Sequence, residues 1–335
     1  MANSKKILVT GGAGFIGSHT TKLLQEQGRD VVVLDNLSTG HVSSVSCPLI
    51  IGDLSDRGLL NKIFSDFDID TVIHFAASVI VEESMILPGK YFENNVVNSL
   101  NLLNAMAAHG ISKIIFSSSA AVYGEPHYLP IDEDHPKMPT NPYGETKLMV
   151  EKILKWYLTS HNLSSVSLRY FNASGAHSDG SLGENKAIVT HLIPRVLRVA
   201  AHQTEVLQIY GNDYSTPDGT CIRDYVHVLD LAQAHFLALE KLDKEQGCFA
   251  YNVATGKGHS VTEVVNAAVE ITKKMIPIEY AIRRSGDPTS LVADASKITN
   301  ELGFSPKYSD LETIIGTAWV WHQRLLQENL AKIVA

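Results

Sequence analysis

Short runs of consecutive apolar residues punctuate the first half of the chain, and amphipathic stretches separate them. Lys6–Thr10 (Lys-Ile-Leu-Val-Thr) reads as a buried strand. Further strands are expected at 30–35, 48–51, 71–75, 111–117 and 165–170. Helical periodicity lies between most of them. It runs from the glycines after Thr10 to about Gln27, then over 91–108, and from Tyr143 to about Ser160. Strands that are apolar throughout, separated by helices, imply a parallel sheet covered on both faces. The rhythm breaks after Phe171. Segments 175–185 and 212–220 are polar and read as loops, a helix is expected over 187–202, and a last one near 311–327. No internal repeat or Pro/Gly/Ser linker interrupts the chain. The expected fold is therefore α/β, one doubly wound parallel sheet with a smaller C-terminal α/β lobe.

The first strand runs into Gly11-Gly12-Ala13-Gly14-Phe15-Ile16-Gly17, with glycines at Gly11, Gly14 and Gly17. Glycines permit a tight turn and close backbone approach to a pyrophosphate. The helix that follows offers free N–H groups and a partial positive charge to it. Asp35 ends the second strand, where a carboxylate can accept hydrogen bonds from both adenosine ribose hydroxyls. No arginine follows it immediately, so a 2′-phosphate would meet only negative charge. This pattern makes the sheet Rossmann-type and favours NAD over NADP. Asp53 and Leu54, after the third strand, are candidates to flank the adenine.

Tyr143 and Lys147 share a helix face at i and i+4. A phenol with a pKa of about 10 is a poor base at neutral pH. A nearby ammonium favours the phenolate. Lowering that pKa by ~3 units needs ~4 kcal/mol, which Lys147 and the positive nicotinamide ring can supply together. Ser117-Ser118-Ser119 ends the fifth strand, at the carboxyl edge where ligands bind. Ser119 can pass a proton between substrate and Tyr143. A Tyr-x-x-x-Lys spacing alone is common by chance. Its meaning comes from the glycine loop, Asp35 and the strand-end serine in this order.

Composition adds exclusions. The 335 residues are 44% hydrophobic and 19% charged, an ordinary globular balance. Lys and Arg number 28 against 36 Asp and Glu, a net charge of −8. That argues against a sequence-independent grip on nucleic acid. The 3 cysteines, Cys47, Cys221 and Cys248, form no Cys-x-x-Cys pair, so neither a disulfide scaffold nor a zinc ribbon is expected. No apolar run reaches the ~18 residues of a membrane span, and Ile7 to Thr10 is too short for a signal-peptide core. A cytoplasmic protein is expected. Although there are 14 histidines, none forms a His-Glu-x-x-His motif or a Cys/His cluster, so no metal is expected. His74, His227 and His235 read as packed or hydrogen-bonded.

On these motifs the chain resembles the extended short-chain dehydrogenase/reductase superfamily, and within it the sugar-nucleotide 4-epimerases. The likeness spans nearly the whole chain. It is strongest over residues 9–19, 116–124 (Phe-Ser-Ser-Ser-Ala-Ala-Val-Tyr-Gly), 141–154, 168–177 and 210–230. The last holds Gly-Asn-Asp-Tyr-Ser-Thr-Pro-Asp-Gly-Thr-Cys-Ile-Arg-Asp-Tyr-Val-His-Val, which is specific to the epimerase branch.

The resemblance implies an NAD-dependent interconversion of UDP-glucose and UDP-galactose through a 4-keto sugar. It makes Tyr143, Lys147 and Ser119 catalytic. It places Gly11, Gly14, Phe15, Ile16, Gly17, Asp35, Asn36, Asp53, Leu54, Phe75, Ala76, Ala77, Asn95, Ser117 and Tyr170, besides Tyr143 and Lys147, around NAD. It gives the UDP-sugar Asn172, His191, Leu192, Tyr210, Arg223, Arg284, Asp287 and Leu291, besides Ser119 and Tyr143. Asn172 and the two arginines would hold the diphosphate, a task suited to the guanidinium fork. The implied division is an NAD-binding part of 1–172 plus about 223–255, and a UDP-sugar lobe of about 173–222 and 256–335. A homodimer through the helices near 91–108 and 143–160 is also implied.

Related dehydratases and decarboxylases carry acids just after the strand-end Ser or Thr. Here Ala120 and Ala121 stand there, and methyl groups do no acid–base work. Epimerisation of an N-acetylhexosamine, pentose or glucuronate form is the alternative enzyme reading. A non-catalytic dinucleotide sensor would usually have lost Tyr143 or Lys147. Val79 and His191 depart from the family, where a lysine and an asparagine are frequent. A diphosphate near His191 would favour its protonated form.

Overall fold

The computed structural model describes residues 5–284 and 287–334. In chain order the first part runs β1 (Lys6–Thr10), α1 (Phe15–Glu26), β2 (Val31–Asp35), β3 (Leu49–Ile51), α2 (Arg57–Asp66), β4 (Ile69–His74), α3 (Val81–Ile86), α4 (Pro88–Tyr91), α5 (Asn98–Ala108), β5 (Lys113–Ser119), α6 (Pro142–His161) and β6 (Ser164–Tyr170). The second part runs β7 (Asn172–Ser174), α7 (Leu192–Ala200), β8 (Leu207–Tyr210), β9 (Ile222–His227), α8 (Val228–Lys244), β10 (Cys248–Val253), β11 (Gly258–Ser260), α9 (Val261–Thr272), β12 (Ile278–Ala281), β13 (Ser290–Leu291), α10 (Ser296–Leu302) and α11 (Leu311–Val334).

Seven strands form one sheet in the order β10-β6-β5-β4-β1-β2-β3. Every pairing in it is parallel. Alternate residues point to opposite faces, and both faces are buried. Ile7, Val9, Val31, Val33, Ile73, Ile115 and Val166 meet Leu24 of α1 and Leu231, Ala234 and Ala238 of α8. Leu8, Val32, Leu34, Val72, Ile114 and Phe116 meet Leu60 and Ile63 of α2, Leu102 and Met106 of α5, and Val150 and Leu154 of α6. These continuous apolar runs are the reason that the strand expectations match the structure within two residues. The doubly wound Rossmann-type sheet is the observed fold.

A second sheet pairs β9 with β7, β11 and β13, and β8 pairs with β12 apart from it. α7, α9 and α11 pack into a separate core through Ile193, Val196, Val264, Ile314 and their neighbours. β9 feeds directly into α8, which returns the chain to the first sheet.

Three segments differ from the sequence expectation. The helix expected over 187–202 spans only Leu192–Ala200. Ile188, Val189 and Thr190 are β-branched and poor helix starters, and Pro194 is tolerated only in a first turn. The single helix expected over 91–108 contains a π-helical turn, Phe92–Val97. The last helix, expected near 311–327, runs Leu311–Val334.

Candidate active site

The glycine loop crosses the carboxyl end of β1. Gly11 has φ +73°, and a Cβ on it would lie 2.6 Å from the Ala76 backbone nitrogen. A Cβ on Gly17 would lie 2.3 Å from the Gly11 carbonyl oxygen. Both glycines therefore serve close packing of the loop on β4 and α1. Gly14 differs, for its Cβ would meet only the Gly11 oxygen, at 3.3 Å. It is the N-cap of α1 and has no side-chain cap. The first-turn N–H groups of α1 have no intrahelical carbonyl partner, and a dinucleotide pyrophosphate suits them.

Asp35 is buried and tied to that loop. Its Oδ2 accepts from Ala13 N at 2.9 Å and its Oδ1 from Leu37 N at 2.8 Å. Each oxygen keeps a lone pair for a ribose hydroxyl. Asn36 Nδ2 donates to Asp53 Oδ2 at 2.6 Å, and Leu54 packs into the core. Phe75 N and Ala76 N both donate to Thr10 O, and Ala77 continues along the half-buried edge. The residues present thus fit a dinucleotide: an open glycine, a capless helix end and a strand-end carboxylate.

Asn95 lies in the π-helical turn and is buried. Its Oδ1 accepts from Ser78 N at 2.8 Å, and its Nδ2 donates to Ser78 O and Thr146 Oγ1. It clasps the stretch after β4 against α6. Its amide is fully engaged by protein.

At the start of α6, Asn141 Oδ1 accepts from Gly144 N at 2.8 Å, a cap worth about 1 kcal/mol. A Cβ on Gly144 would lie 2.4 Å from Ala121 O, so the helix start packs directly on the turn after β5. That contact brings Tyr143 and Lys147 to the strand-end serines. Lys147 is 2% exposed and donates from Nζ to Ser117 O at 2.7 Å. Nζ lies 4.9 Å from the Phe116 ring centroid and 5.8 Å from that of Tyr143. Burial pushes its pKa down to about 7, with the Glu151 carboxylate opposing. Burial raises the Tyr143 phenol, opposed by the Ser119 hydroxyl. Both groups therefore lean to their neutral forms in the protein alone. The Ser117 hydroxyl bonds the buried Tyr170 phenol, and Ser119 stands opposite Tyr170 in register.

A second group of side chains gathers around β9. Asn172 Nδ2 donates to Asp224 O at 2.9 Å. Arg223 pairs with Asp287, and Leu291 is its register partner on β13. Arg284 lies 4.1 Å from the Tyr210 ring centroid. His191, the N-cap of α7 beside Leu192, is set against Glu184, Nδ1 to Oε1 3.0 Å. Glu184 also meets Lys186 at 2.9 Å, and its pKa is drawn down to about 2: burial would raise it, but His191 and Lys186 outweigh that. Val79 is exposed.

Several participants escaped the sequence reading. Glu151 and Arg169 form a buried ion pair behind the Tyr–Lys helix. The i+4 spacing from Lys147 to Glu151 was the available signal. Glu82, which pairs with Arg284, left no such signal. The three histidines read as packed are buried: His74 between Thr10 and Ser99, His227 against Thr317, and His235 under Phe75. Among the described residues no cluster of His, Cys, Asp and Glu could hold a metal, and no helix is long and apolar enough to cross a membrane.

The profile of the NAD dependent epimerase/dehydratase family matches residues 7–254. A UDP-glucose 4-epimerase of Halalkalibacterium halodurans is 52% identical over 318 residues, 95% of each chain. One of Lacticaseibacillus casei is 51% identical over 319 residues, 95% of this chain and 96% of that one. Among solved structures, the UDP-glucose 4-epimerase of Brucella ovis in complex with NAD is 50% identical, with a TM-score of 0.92. That alignment covers 94% of this chain and 98% of that one.

Proposed function

The chain belongs to the NAD-dependent epimerase/dehydratase family, and from that premise we propose that it interconverts UDP-glucose and UDP-galactose through oxidation at sugar carbon 4. The observation that carries this reading is the Lys147–Ser117 tether, which sets Tyr143 beside Ser119 at the carboxyl edge of the sheet. NAD, when bound, supplies a hydride acceptor and donor at its nicotinamide ring. Gly14 and the free amides of α1 would hold its pyrophosphate, and Asp35 its adenosine ribose. Tyr143 takes the proton from the sugar 4-hydroxyl, with Ser119 bridging the two oxygens. Lys147 favours the phenolate and holds the neighbouring ribose. Asn172, Arg223 and Arg284 grip the diphosphate while the 4-keto sugar turns over, and Asp287 stands at the uridine ribose. With hydride delivered back to the opposite face of carbon 4, Tyr143 would return the proton to the 4-oxygen.

Ala120 and Ala121 form the turn immediately after Ser119. With no carboxylate in that turn, elimination chemistry has no local acid or base. The NAD unit comprises 1–172 and about 223–255, with β9 as the seam because it hydrogen-bonds within the second sheet. A homodimer fits the exposed Ile86 (77%) and Trp156 (73%) near the helices expected to meet. A cytoplasmic setting fits three free thiols.

The test is a panel of UDP-sugars on purified protein, read by product analysis. Conversion of UDP-glucose to UDP-galactose without added cofactor beyond what co-purifies supports the reading. Stoichiometric release of NADH would identify a dehydrogenase instead.

A further inference from the structure

Behind Tyr143 and Lys147 lies a polar network that the proposed reaction does not itself consume. Glu151 is on α6, four residues past Lys147 and eight past Tyr143, on the same helix face. Its side chain is 7% exposed and that of Arg169, on β6, 5%. Glu151 Oε1 accepts from Ser118 Oγ at 2.5 Å and from Arg169 Nε at 2.9 Å. Oε2 accepts from Arg169 Nη2 at 2.6 Å. Arg169 Nη1 donates to Tyr123 OH at 2.9 Å, and that hydroxyl donates to Asn252 Oδ1 at 2.6 Å.

A buried ion pair is weak evidence of stability, because apolar residues of the same volume often serve as well. Its placement points elsewhere. Ser118 lies between Ser117, whose carbonyl holds Lys147, and Ser119. The carboxylate therefore ties one face of α6 to the ends of both β5 and β6. We propose that Glu151 is a positioning residue of the active site, holding Tyr143 and Lys147 in place against the strand-end serines through Ser118 and Arg169. This rests on the reading of Tyr143 and Lys147 as the reacting pair.

The same carboxylate favours the charged form of Lys147, against the larger opposing effect of burial. The groups set against that amine are Tyr143 and Glu151 on α6, His74 on β4, and Phe116 and the Ser117 carbonyl on β5; on β6, Arg169 pairs with Glu151 and Tyr170 bonds the Ser117 hydroxyl. His74 is held neutral by burial. It accepts from Thr10 at Nδ1 and donates from Nε2 to Ser99, whose own hydroxyl donates to Asn95 O. Of these groups only Glu151 is an anion. Without it the ammonium gives up its proton at lower pH.

The experiment uses the NAD-loaded enzyme with Glu151→Gln, and with Glu151→Gln combined with Arg169→Met so that no unpaired charge is left buried. The alkaline limb of kcat is expected to move about one pH unit toward acid in Glu151→Gln, and in the same direction but by less in the double variant, which also removes the Arg169 cation. Above the limb kcat then falls about tenfold while KM for UDP-glucose changes little. Nitrogen-15 NMR of Lys147 should show the same displacement. A lower kcat at every pH with an unmoved limb marks a purely structural role and overturns the proposal. So does a profile that superimposes on wild type in both variants. A displaced Lys147 titration with an unmoved kcat limb would instead remove Lys147 from the reaction, and the proposal with it. If the single variant does not fold, the neutral pair decides.

Discussion

Arg284, just beyond β12, is ion-paired with Glu82 on α3, Nη1 to Oε1 3.2 Å. The guanidinium that the account assigns to the substrate diphosphate is thus already facing a carboxylate, with Tyr210 beneath it. Binding must exchange one anion for the other. Exposed pairs of this kind contribute about 0–1 kcal/mol. Glu82→Gln is therefore expected to tighten UDP binding about two- to fivefold, and Arg284→Ala to weaken it well beyond that. Titration calorimetry reads both. An unchanged affinity in Glu82→Gln contradicts the exchange.

Tyr143→Phe removes only the phenolic oxygen. Turnover is expected to fall by about 10²–10⁴-fold, the range for general acid–base catalysis. Bound NAD should persist, because Asp35 and the glycine loop are untouched. Retention of more than about a tenth of the rate rules out Tyr143 as the base.

Leu291 packs at the edge of the small cluster of Val122, Tyr123, Ile131 and Leu148, next to Phe171. The family resemblance implies that this position faces the substituent on sugar carbon 2; Leu291 is half-buried, and leucine makes a softer wall than a packed aromatic ring. UDP-glucose and UDP-galactose should be good substrates, and their N-acetyl counterparts weak ones. Leu291→Tyr should remove the N-acetyl activity selectively. Shape alone discriminates by ~1–3 kcal/mol per methylene. Paired kinetics on both sugar types check this. Equal loss of both activities, or no N-acetyl turnover in wild type, counts against it.

Acid should destabilise the protein well above the carboxylate range. Burial lowers His19 and His235 to about 4, and His74 and His227 to about 3, all below the ordinary 6.5. Between 6.5 and those values the unfolded chain binds protons that the native one refuses. Stability therefore rises with pH in that window and is lost on acidification. Each histidine contributes about 1.4 kcal/mol per pH unit. Urea midpoints are expected to fall steadily from pH 6.5 to 4; a flat profile contradicts the buried neutral assignment.

The first sheet was legible because its strands are buried on both faces and read as unbroken apolar runs, as in Val31–Asp35. The glycine loop and the Tyr–Lys pair were legible because each depends on local spacing. What the sequence did not reveal depends on partners far apart in the chain. Asn95 is expected beside NAD from the family likeness; that its amide also clasps Ser78 and Thr146 depends on the π-helical turn, which no local pattern announces. The start of α7 was masked by an apolar run whose β-branched residues resist helix. Glu82 acquires meaning only once α3 lies opposite Arg284. Glu151 repeats the helical spacing of Lys147, but only β6 supplies the arginine that explains it.

The central claim is that a hydrogen leaves sugar carbon 4 and returns to the same carbon. UDP-glucose carrying deuterium at carbon 4 tests it in one measurement, by NMR and mass spectrometry of the product. The account predicts UDP-galactose with the deuterium still on carbon 4 and no free NADH. Loss of the label to solvent, or its appearance in released NADH, would contradict it.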